Sequence, residues 1–517
     1  MTDWLKDAVF YEIYPQSFYD TNGDGIGDIN GITEKLDYVK RLGCNAIWIN
    51  PCFDSPFFDA GYDVRDYKKV APRYGTNGDL FRLFNEAHQK GVRILLDLVP
   101  GHTSEEHPWF RESCRPEKGE YTNRYIWTDS VWNYPPEYHL ISGRAERNGN
   151  YLVNFFSTQP ALNYGFRKVT KGWQLPCGHP DCVATREAMK DVMRFWLDKG
   201  CDGFRVDMAD SLVKDDDEKK SGTGAIWQNV REMLDREYPE AALVSEWSNP
   251  ELALGYGFHC DFYLNHKGNG YYSLFRDINE KSGKQSSYFS ALGNGDISKF
   301  LKDYLPKYEK TKRKGYISFI TCNHDTPRMS RDFTVRELKL AYSFLFTMPG
   351  VPFLYYGDEI GMKYQGGLAS KEGGYERTGS RTPMHWNAGQ SNAGFSEAPA
   401  GRLYLPIDAS DGAPSVNGES ERPDSLLNTV RGVIRLRHEN ACLHADGPFE
   451  VVYAEKRGYP FLYRRGDLLF AFNPSGQAAE APIGVKGSVV FSVGEPPLFK
   501  EKSIRMAPQS CVAVKPD

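Results

Sequence analysis

Short apolar runs recur along the chain, separated by stretches whose apolar positions repeat at helical spacing. The runs AVFYEIY (from Ala8), NAIWIN (from Asn45), RILLDLV (from Arg93), GFRVDM (from Gly203), ALVSEW (from Ala242), FHCDFYL (from Phe258), YISFITC (from Tyr316) and PFLYYG (from Pro352) are rich in β-branched and aromatic residues. Their near-continuous apolar character predicts strands buried on both faces, as in a parallel sheet. Stretches such as ITEKLDYVKRLG and LFRLFNEAHQKG have the amphipathic period of helices. Eight strands alternating with helices predict a (β/α)8 TIM barrel.

The spacing is uneven. About a hundred residues separate the third run from the fourth, far more than a βα loop needs. That stretch mixes Trp, Tyr, Pro and Gly in a polar background (HPWFRESCRPEKGEYTNRYIWTDSVWNYPPEYH), which predicts a small inserted domain over residues 103–183. Residues 1–102 and 184–445 then form the barrel. Beyond the helical stretch SLLNTVRGVIRLRHENA, short alternating runs (FEVVYAE, FLYRRG, LLFAFN, GSVVFSV, SCVAVK) punctuated by Gly, Pro and Asn predict an antiparallel β-sandwich domain over 446–517.

Composition narrows the class. With 40% hydrophobic and 25% charged residues, the chain has the makeup of a soluble globular protein with a large core. Its formal charge of -5 is spread along the chain, with no basic stripe for nucleic acid. The N-terminal MTDWLKDAVFYEIYPQSF lacks the layout of a secretory signal, and no apolar run is long enough to cross a bilayer. Ten scattered Cys suit a reducing cytosol, so a cytoplasmic location is expected. The local pair Cys177 and Cys182 has too few neighbouring ligands for zinc, leaving free thiols or a loop disulfide.

In a barrel of this kind, side chains at the C-terminal ends of strands converge on one site. Those ends carry Asp97 and His102, Arg205 and Asp207, Glu246, and His324 and Asp325. Glycoside hydrolysis needs two carboxyl groups beside the scissile bond, one ionised and one protonated. Arg205 lies two residues before Asp207, so on a strand both point to the same face. The guanidinium there favours an ionised nucleophile. Glu246 comes from the next strand, where the apolar Trp247 favours the protonated form a general acid requires.

The segments DLVPGHTS, GFRVDMAD, VSEWSNP and FITCNHDTPR resemble, in order, the four short sequence regions of the α-amylase superfamily (glycoside hydrolase family 13). The resemblance implies that Asp207 is the nucleophile, Glu246 the acid/base and Asp325 a third carboxylate gripping sugar hydroxyls, with His102 and His324 binding the reacting glucosyl unit. Asp59-Ala-Gly-Tyr62-Asp63 is similar to the family loop whose Tyr stacks under that sugar. Arg381-Thr-Pro-Met-His-Trp386 resembles a stretch of the oligo-1,6-glucosidase, sucrose isomerase and trehalose synthase branch. There the equivalents of Asp59 and Arg381 meet over the non-reducing-end glucose and close the site to a pocket. Asp59, Tyr62, His102, Arg205, His324 and Arg381 are thus the expected substrate-binding set, and an α-glucan oligosaccharide the expected partner.

The likeness implies a retaining, exo-acting α-glycosidase working through a covalent glucosyl-enzyme. A transglycosylase or isomerase on the same site, of trehalose synthase or sucrose isomerase type, and an endo-acting α-amylase are the alternatives. A non-catalytic sugar-binding relative would lack the acid or the nucleophile. Gly101, Ala161 and Met208 depart from the family pattern, so linkage is not carried over, nor is the calcium site that an Asn at 101 serves in many amylases. The oligomeric state is not encoded in these motifs.

A second metal site is expected elsewhere. Asp20, Asn22, Asp24 and Asp28 fall at positions one, three, five and nine of a calcium-type loop, with Gly25 sixth and the Ile26 carbonyl seventh. Position twelve is Gly31, so the loop is no EF-hand. Calcium is the expected structural ion, with magnesium an alternative occupant.

Overall fold

Each of the eight apolar runs contributes a strand in the computed structural model, which describes residues 2–264, 266–278 and 283–517. They are β1 (Phe10–Ile13), β2 (Ala46–Ile49), β3 (Arg93–Leu98), β4 (Gly203–Val206), β5 (Ala242–Ser245), β6 (Cys260–Phe262), β7 (Tyr316–Ser318) and β8 (Phe353–Tyr355). All pair in parallel, in the order β7-β6-β5-β4-β3-β2-β1-β8. A parallel bridge between Ile320 and Phe353 joins the two ends, so the sheet is a nearly closed barrel.

The two-residue period of a strand sorts its side chains. Phe10, Ala46, Trp48, Leu95, Val244, Phe262 and Phe353 meet inside the barrel. Tyr11, Ile47, Ile49, Leu96, Phe204 and Leu243 belong to the larger core beneath the helices. The same parity directs Glu12, Asn50, Asp97, Arg205, Asp207 and Glu246 toward the barrel axis, above the apolar layer. The polar site is therefore a continuation of the inward-facing rows.

Helices α1 (Asn77–Gln89), α2 (Pro180–Leu197), α3 (Ser221–Glu237), α4 (Ile297–Thr311), α5 (Val335–Thr347) and α6 (Leu426–Glu439) pack around the sheet. Capping boxes Thr76/Asp79 and Thr334/Glu337 start α1 and α5. On α1, Leu80, Leu83, Phe84 and Ala87 form the buried stripe. Every residue of α5 from Glu337 onward is buried, because a second layer covers its outer face.

That layer is the C-terminal β region. Strands β9 (Glu450–Tyr453), β10 (Phe461–Arg465), β11 (Leu468–Asn473), β12 (Ala479–Ala481), β13 (Gly487–Val493), β14 (Leu498–Phe499), β15 (Ile504–Met506) and β16 (Ser510–Pro516) form two antiparallel sheets, β9-β10-β11-β16-β13 and β12-β15-β14. Alternation is again visible. Phe461, Tyr463, Phe470 and Phe472 join the barrel-side core, where Phe344 of α5 meets them. Leu462, Leu469, Ala471, Val512 and Val514 face Ile504 and Met506 of the smaller sheet.

Between β3 and α2 the chain leaves the barrel. This excursion has its own apolar cluster (Ile126, Leu140, Leu152, Ala161 and Phe166) and a two-stranded ladder, Leu140–Ile141 with Tyr151–Leu152. An antiparallel bridge between His102 and Ala161 fastens it to the mouth of the barrel. A further hairpin after β2, Phe53–Asp54 with Asp66–Val70, brackets the loop bearing Asp59 and Tyr62. Its charged, irregular pattern carries no strand signal in the sequence. All ten cysteines, Cys177 and Cys182 among them, are free thiols. Among the described residues no helix is long and apolar enough to cross a membrane.

Candidate active site

A cavity of about 350 Å³ opens at the C-terminal ends of the barrel strands, a size suited to a small sugar. Asp59, Tyr62, His102, Asp207, Glu246, Asp325 and Arg377 line it, with Phe155, Met208, Asp210, Trp247, Leu264 and His266 around them. The three expected catalytic carboxylates thus share one space.

Arg205, wholly buried under the floor, organises two of them. Its Nη1 lies 2.9 Å from Asp97 Oδ1 and 3.0 Å from Asp207 Oδ1, and its Nη2 lies 2.8 Å from Glu246 Oε2. One cation thus faces three carboxylates. Burial and the negative charge of Glu246 push Asp207 up, opposing Arg205 and its hydrogen bond. The backbone ties the two groups together, because Met208 N–H donates to Glu246 Oε2 at 3.1 Å. Met208 and Ser248 have φ of 42° and 58°, so the chain turns sharply in the left-handed region just beyond each carboxylate.

Asp325 is held ionised. Against the cost of burial, the His324 cation, then Arg381 and Arg377, hold its carboxyl well below the usual carboxylate range. Arg377 Nη1 and Arg381 Nη2 donate to Oδ1 at 2.8 and 2.9 Å, and His324 Nε2 lies 3.3 Å from Oδ2.

The pairing across the pocket end differs from the expectation. Arg381 is fully buried and donates through Nε to the His324 carbonyl at 2.8 Å and through Nη2 to Asp325, while its Nη1 has no hydrogen-bond partner among the described residues. The arginine facing Asp59 is Arg377, whose Nη2 lies 3.5 Å from Asp59 Oδ1. The other Asp59 oxygen accepts from Gln159 Nε2 at 2.8 Å. Arg377 precedes the motif arginine by four residues, outside the quoted stretch; a second Arg in YERTGSRTPM is its only signal in the sequence.

Two other members of the expected substrate-binding set also lie below the cavity surface. Arg205 acts on the carboxylates. His324, with no exposed surface, reaches the cavity through Asp325 and through Tyr62, whose hydroxyl is 2.7 Å from Nε2 and donates to Asp97 Oδ2 at 3.0 Å. Tyr62 and His102 do line the cavity. Burial pushes His102 down to about 3, so its ring is neutral. Its Nδ1 lies 3.2 Å from Asn154 Nδ2, an amide that can only donate, which leaves the hydrogen on Nε2, 3.2 Å from the Tyr62 carbonyl.

The same Asn154 accepts from Lys214 Nζ at 2.9 Å, and Lys214 also donates to the Ser211 carbonyl at 2.6 Å. A Cβ on Gly101 would come within 2.7 Å of Asn154 Nδ2, so a larger residue at 101 would have to displace this amide. An ammonium group thereby ties the excursion to the β4 loop.

In the segment after β1, Asp20 Oδ1 accepts from the amides of Asn22 and Gly23, and Asp20 Oδ2 from those of Gly25 and from Ser396 Oγ. Asn22 and Asp24 accept from the amides of Asp24 and Ile26. Asp28 caps helix Ile29–Glu34 and accepts from Thr21. Among the described residues, no three His, Cys, Asp or Glu side chains gather as a metal-sized group.

Residues 12–446 match the family profile "Alpha amylase, catalytic domain". The chain is 36% identical over 480 residues to a trehalose synthase/amylase of Mycolicibacterium smegmatis, covering 85% of this chain and 77% of that protein. It is 33% identical over 528 residues to an oligo-1,6-glucosidase of Heyndrickxia coagulans, covering 90% and 89%. The fold superposes on the crystal structure of a trehalulose synthase from Pseudomonas mesoacidophila with a TM-score of 0.80 at 25% identity, covering 99% of each chain.

Proposed function

The chain belongs to the alpha-amylase family, and on that premise we propose that this enzyme is a retaining, exo-acting α-glucosidase of short malto- or isomalto-type oligosaccharides. The observation carrying the proposal is one guanidinium, Arg205, gripping both Asp207 and Glu246 beside a cavity bounded by Asp59, Asp325 and Arg377.

In this reading Asp207, steadied through Oδ1 by Arg205, attacks the anomeric carbon with Oδ2. Glu246, as general acid, passes a proton to the glycosidic oxygen. Its Oε2 is engaged by Arg205 and the Met208 amide, which leaves Oε1 to carry that proton. The aglycone departs, Glu246 then deprotonates a water molecule, and attack by that water releases an α-configured sugar. Asp325, ionised throughout, accepts hydrogen bonds from sugar hydroxyls that strengthen as positive charge develops at the ring. Arg377 and Asp59 hold the terminal sugar and leave no room for another beyond it.

A second reading is isomerisation, in which the released sugar recombines with the intermediate in place of water. Relatives named trehalose synthase/amylase and trehalulose synthase favour it. Chromatography of products from maltose, isomaltose, sucrose, trehalose and maltotriose separates the two. Hydrolysis yields glucose early from at least one of these substrates. A rearranged disaccharide as the main product, with little free glucose, identifies an isomerase.

We propose calcium, or magnesium, as a structural ion of the loop from Asp20 to Asp28. The donor chemistry supports it: carboxylate, amide and carbonyl oxygens suit a hard cation, and the Asn22 and Asp24 side-chain oxygens each accept a single amide and keep a lone pair. Binding to the native state alone stabilises by mass action. A chelator is expected to lower the melting temperature by about 2–4 °C while leaving kcat at 25 °C unchanged, and Asp24→Ala to abolish the difference. Identical melting curves with and without chelator would leave the loop a polar turn. A cytosolic location is proposed on the ten free thiols.

A further inference from the structure

Glu12 is a carboxylate in an apolar run, and the mechanism above does not use it. It points into the barrel from β1 with no exposed surface. Its Oε1 lies 2.9 Å from His324 Nδ1 and accepts from Asn50 Nδ2 at 3.2 Å. Its Oε2 has no hydrogen-bond partner among the described residues. An ionised carboxylate so deeply buried is costly unless a cation pairs with it.

The contacts of His324 identify that cation. Nδ1 faces Glu12, an acceptor when ionised. Nε2 faces Asp325 Oδ2, an acceptor, and the Tyr62 hydroxyl, which can accept there while donating to Asp97 Oδ2. Both ring nitrogens thus point at acceptors, and only the imidazolium, with a hydrogen on each, satisfies both. Asn50 Nδ2, 3.1 Å from Nδ1, offers the competing arrangement of a neutral ring accepting at that atom. The charge on Glu12 decides between them.

We propose that Glu12 is a positioning residue that keeps His324 protonated from beneath the cavity floor, so that Nε2–H holds Asp325 and Tyr62 in the orientation the substrate meets. The proposal rests on the role assigned to Asp325 above.

The charge balance around the ring agrees. Against burial, which favours the neutral ring, Asp325 and Glu12 push His324 up to about 9. Burial pushes both Glu12 and Asp97 of β3 up, and His324 and Arg205 of β4 act against it on each of them. Arg381 lies beyond Asp325, and the Tyr14 ring stacks parallel to the imidazole at 6.5 Å. Glu12 is the anion at Nδ1, as Asp325 is the anion at Nε2.

The test is an NMR titration of protein carrying 13C-labelled histidine, with the His324 signal identified by its loss in His324→Gln. In the wild type this signal should remain that of an imidazolium up to at least about pH 8. In Glu12→Gln, which keeps the shape and removes the charge, its midpoint should fall to about 6.5 or below. The kcat/KM of Glu12→Gln relative to wild type should then drop about tenfold between pH 5.5 and 8, while Glu12→Asp follows the wild type. A wild-type midpoint at or below about 6.5 overturns the proposal even if Glu12→Gln does not fold. So does a His324 midpoint that is unchanged in folded Glu12→Gln. Because the titration needs no turnover, it stands apart from the assignment of Asp207 and Glu246.

Discussion

Replacing Asp207 by Asn or Glu246 by Gln is expected to lower kcat about a thousandfold or more without changing the melting temperature by more than a few degrees. The two losses have different causes, and leaving-group dependence distinguishes them. Asn at 207 cannot form the ester to the sugar, so an activated leaving group brings no recovery. Gln at 246 cannot protonate the departing oxygen, so a substrate whose aglycone leaves without protonation regains most of its first-step rate. Both side chains touch Arg205, and each replacement leaves that cation two other carboxylates, which is why the fold survives. Retention of a tenth of wild-type activity with an ordinary oligosaccharide, in either variant, contradicts the assignment.

Arg377→Ala is expected to reduce kcat/KM by about 30- to 150-fold, from about 2–3 kcal/mol of lost charge-assisted contacts and the unpaired acid left behind. Arg377 is partly exposed and anchored mainly through Asp325, Asp59 and the Gly373 carbonyl. Its removal should therefore spare the melting temperature. Arg381→Ala should do the opposite first, because the fully buried Arg381 holds the His324 carbonyl as well as Asp325, and its loss should lower the melting temperature markedly. Opening the pocket end should also let longer chains enter. Wild type acting on soluble starch should release glucose early with little fall in polymer size, and Arg377→Ala should lose that preference. If Arg381→Ala proves the more active-site-like variant, with intact stability and the larger loss of kcat/KM, the pairing across the pocket has been misassigned.

The contrast between these arginines marks where sequence reading works. Asp207 and Glu246 are legible because each directly follows an apolar strand whose two-residue period fixes the direction of the side chain. Asp325, seven residues past the end of β7, is legible only through the resemblance of FITCNHDTPR to a family region. All eight strands are legible because they are apolar on both faces. Arg377 and Arg381 lie in the long segment after β8, where no period relates one position to the next. Only the fold determines which of two arginines, four residues apart, turns inward. Glu12 fails differently. Parity places it inside or outside the barrel only once the neighbouring strands are known, and a single acid in AVFYEIY gives no sign of the histidine it meets three hundred residues later. The hairpin around Asp59 and Tyr62 is hidden because its strands are short and carry charge.

The central claim is a covalent glucosyl-enzyme on Asp207. α-Glucosyl fluoride, whose fluoride leaves without protonation, should glycosylate the Glu246→Gln variant, and the missing general base should then stall hydrolysis. Proteolysis and mass spectrometry of the stalled protein should find the peptide containing Gly203 to Asp210 heavier by one glucosyl residue, with fragmentation locating the addition at Asp207. An adduct on another carboxylate, or continued turnover to β-glucose with no adduct at all, would contradict the retaining mechanism and the role of Asp207 in it.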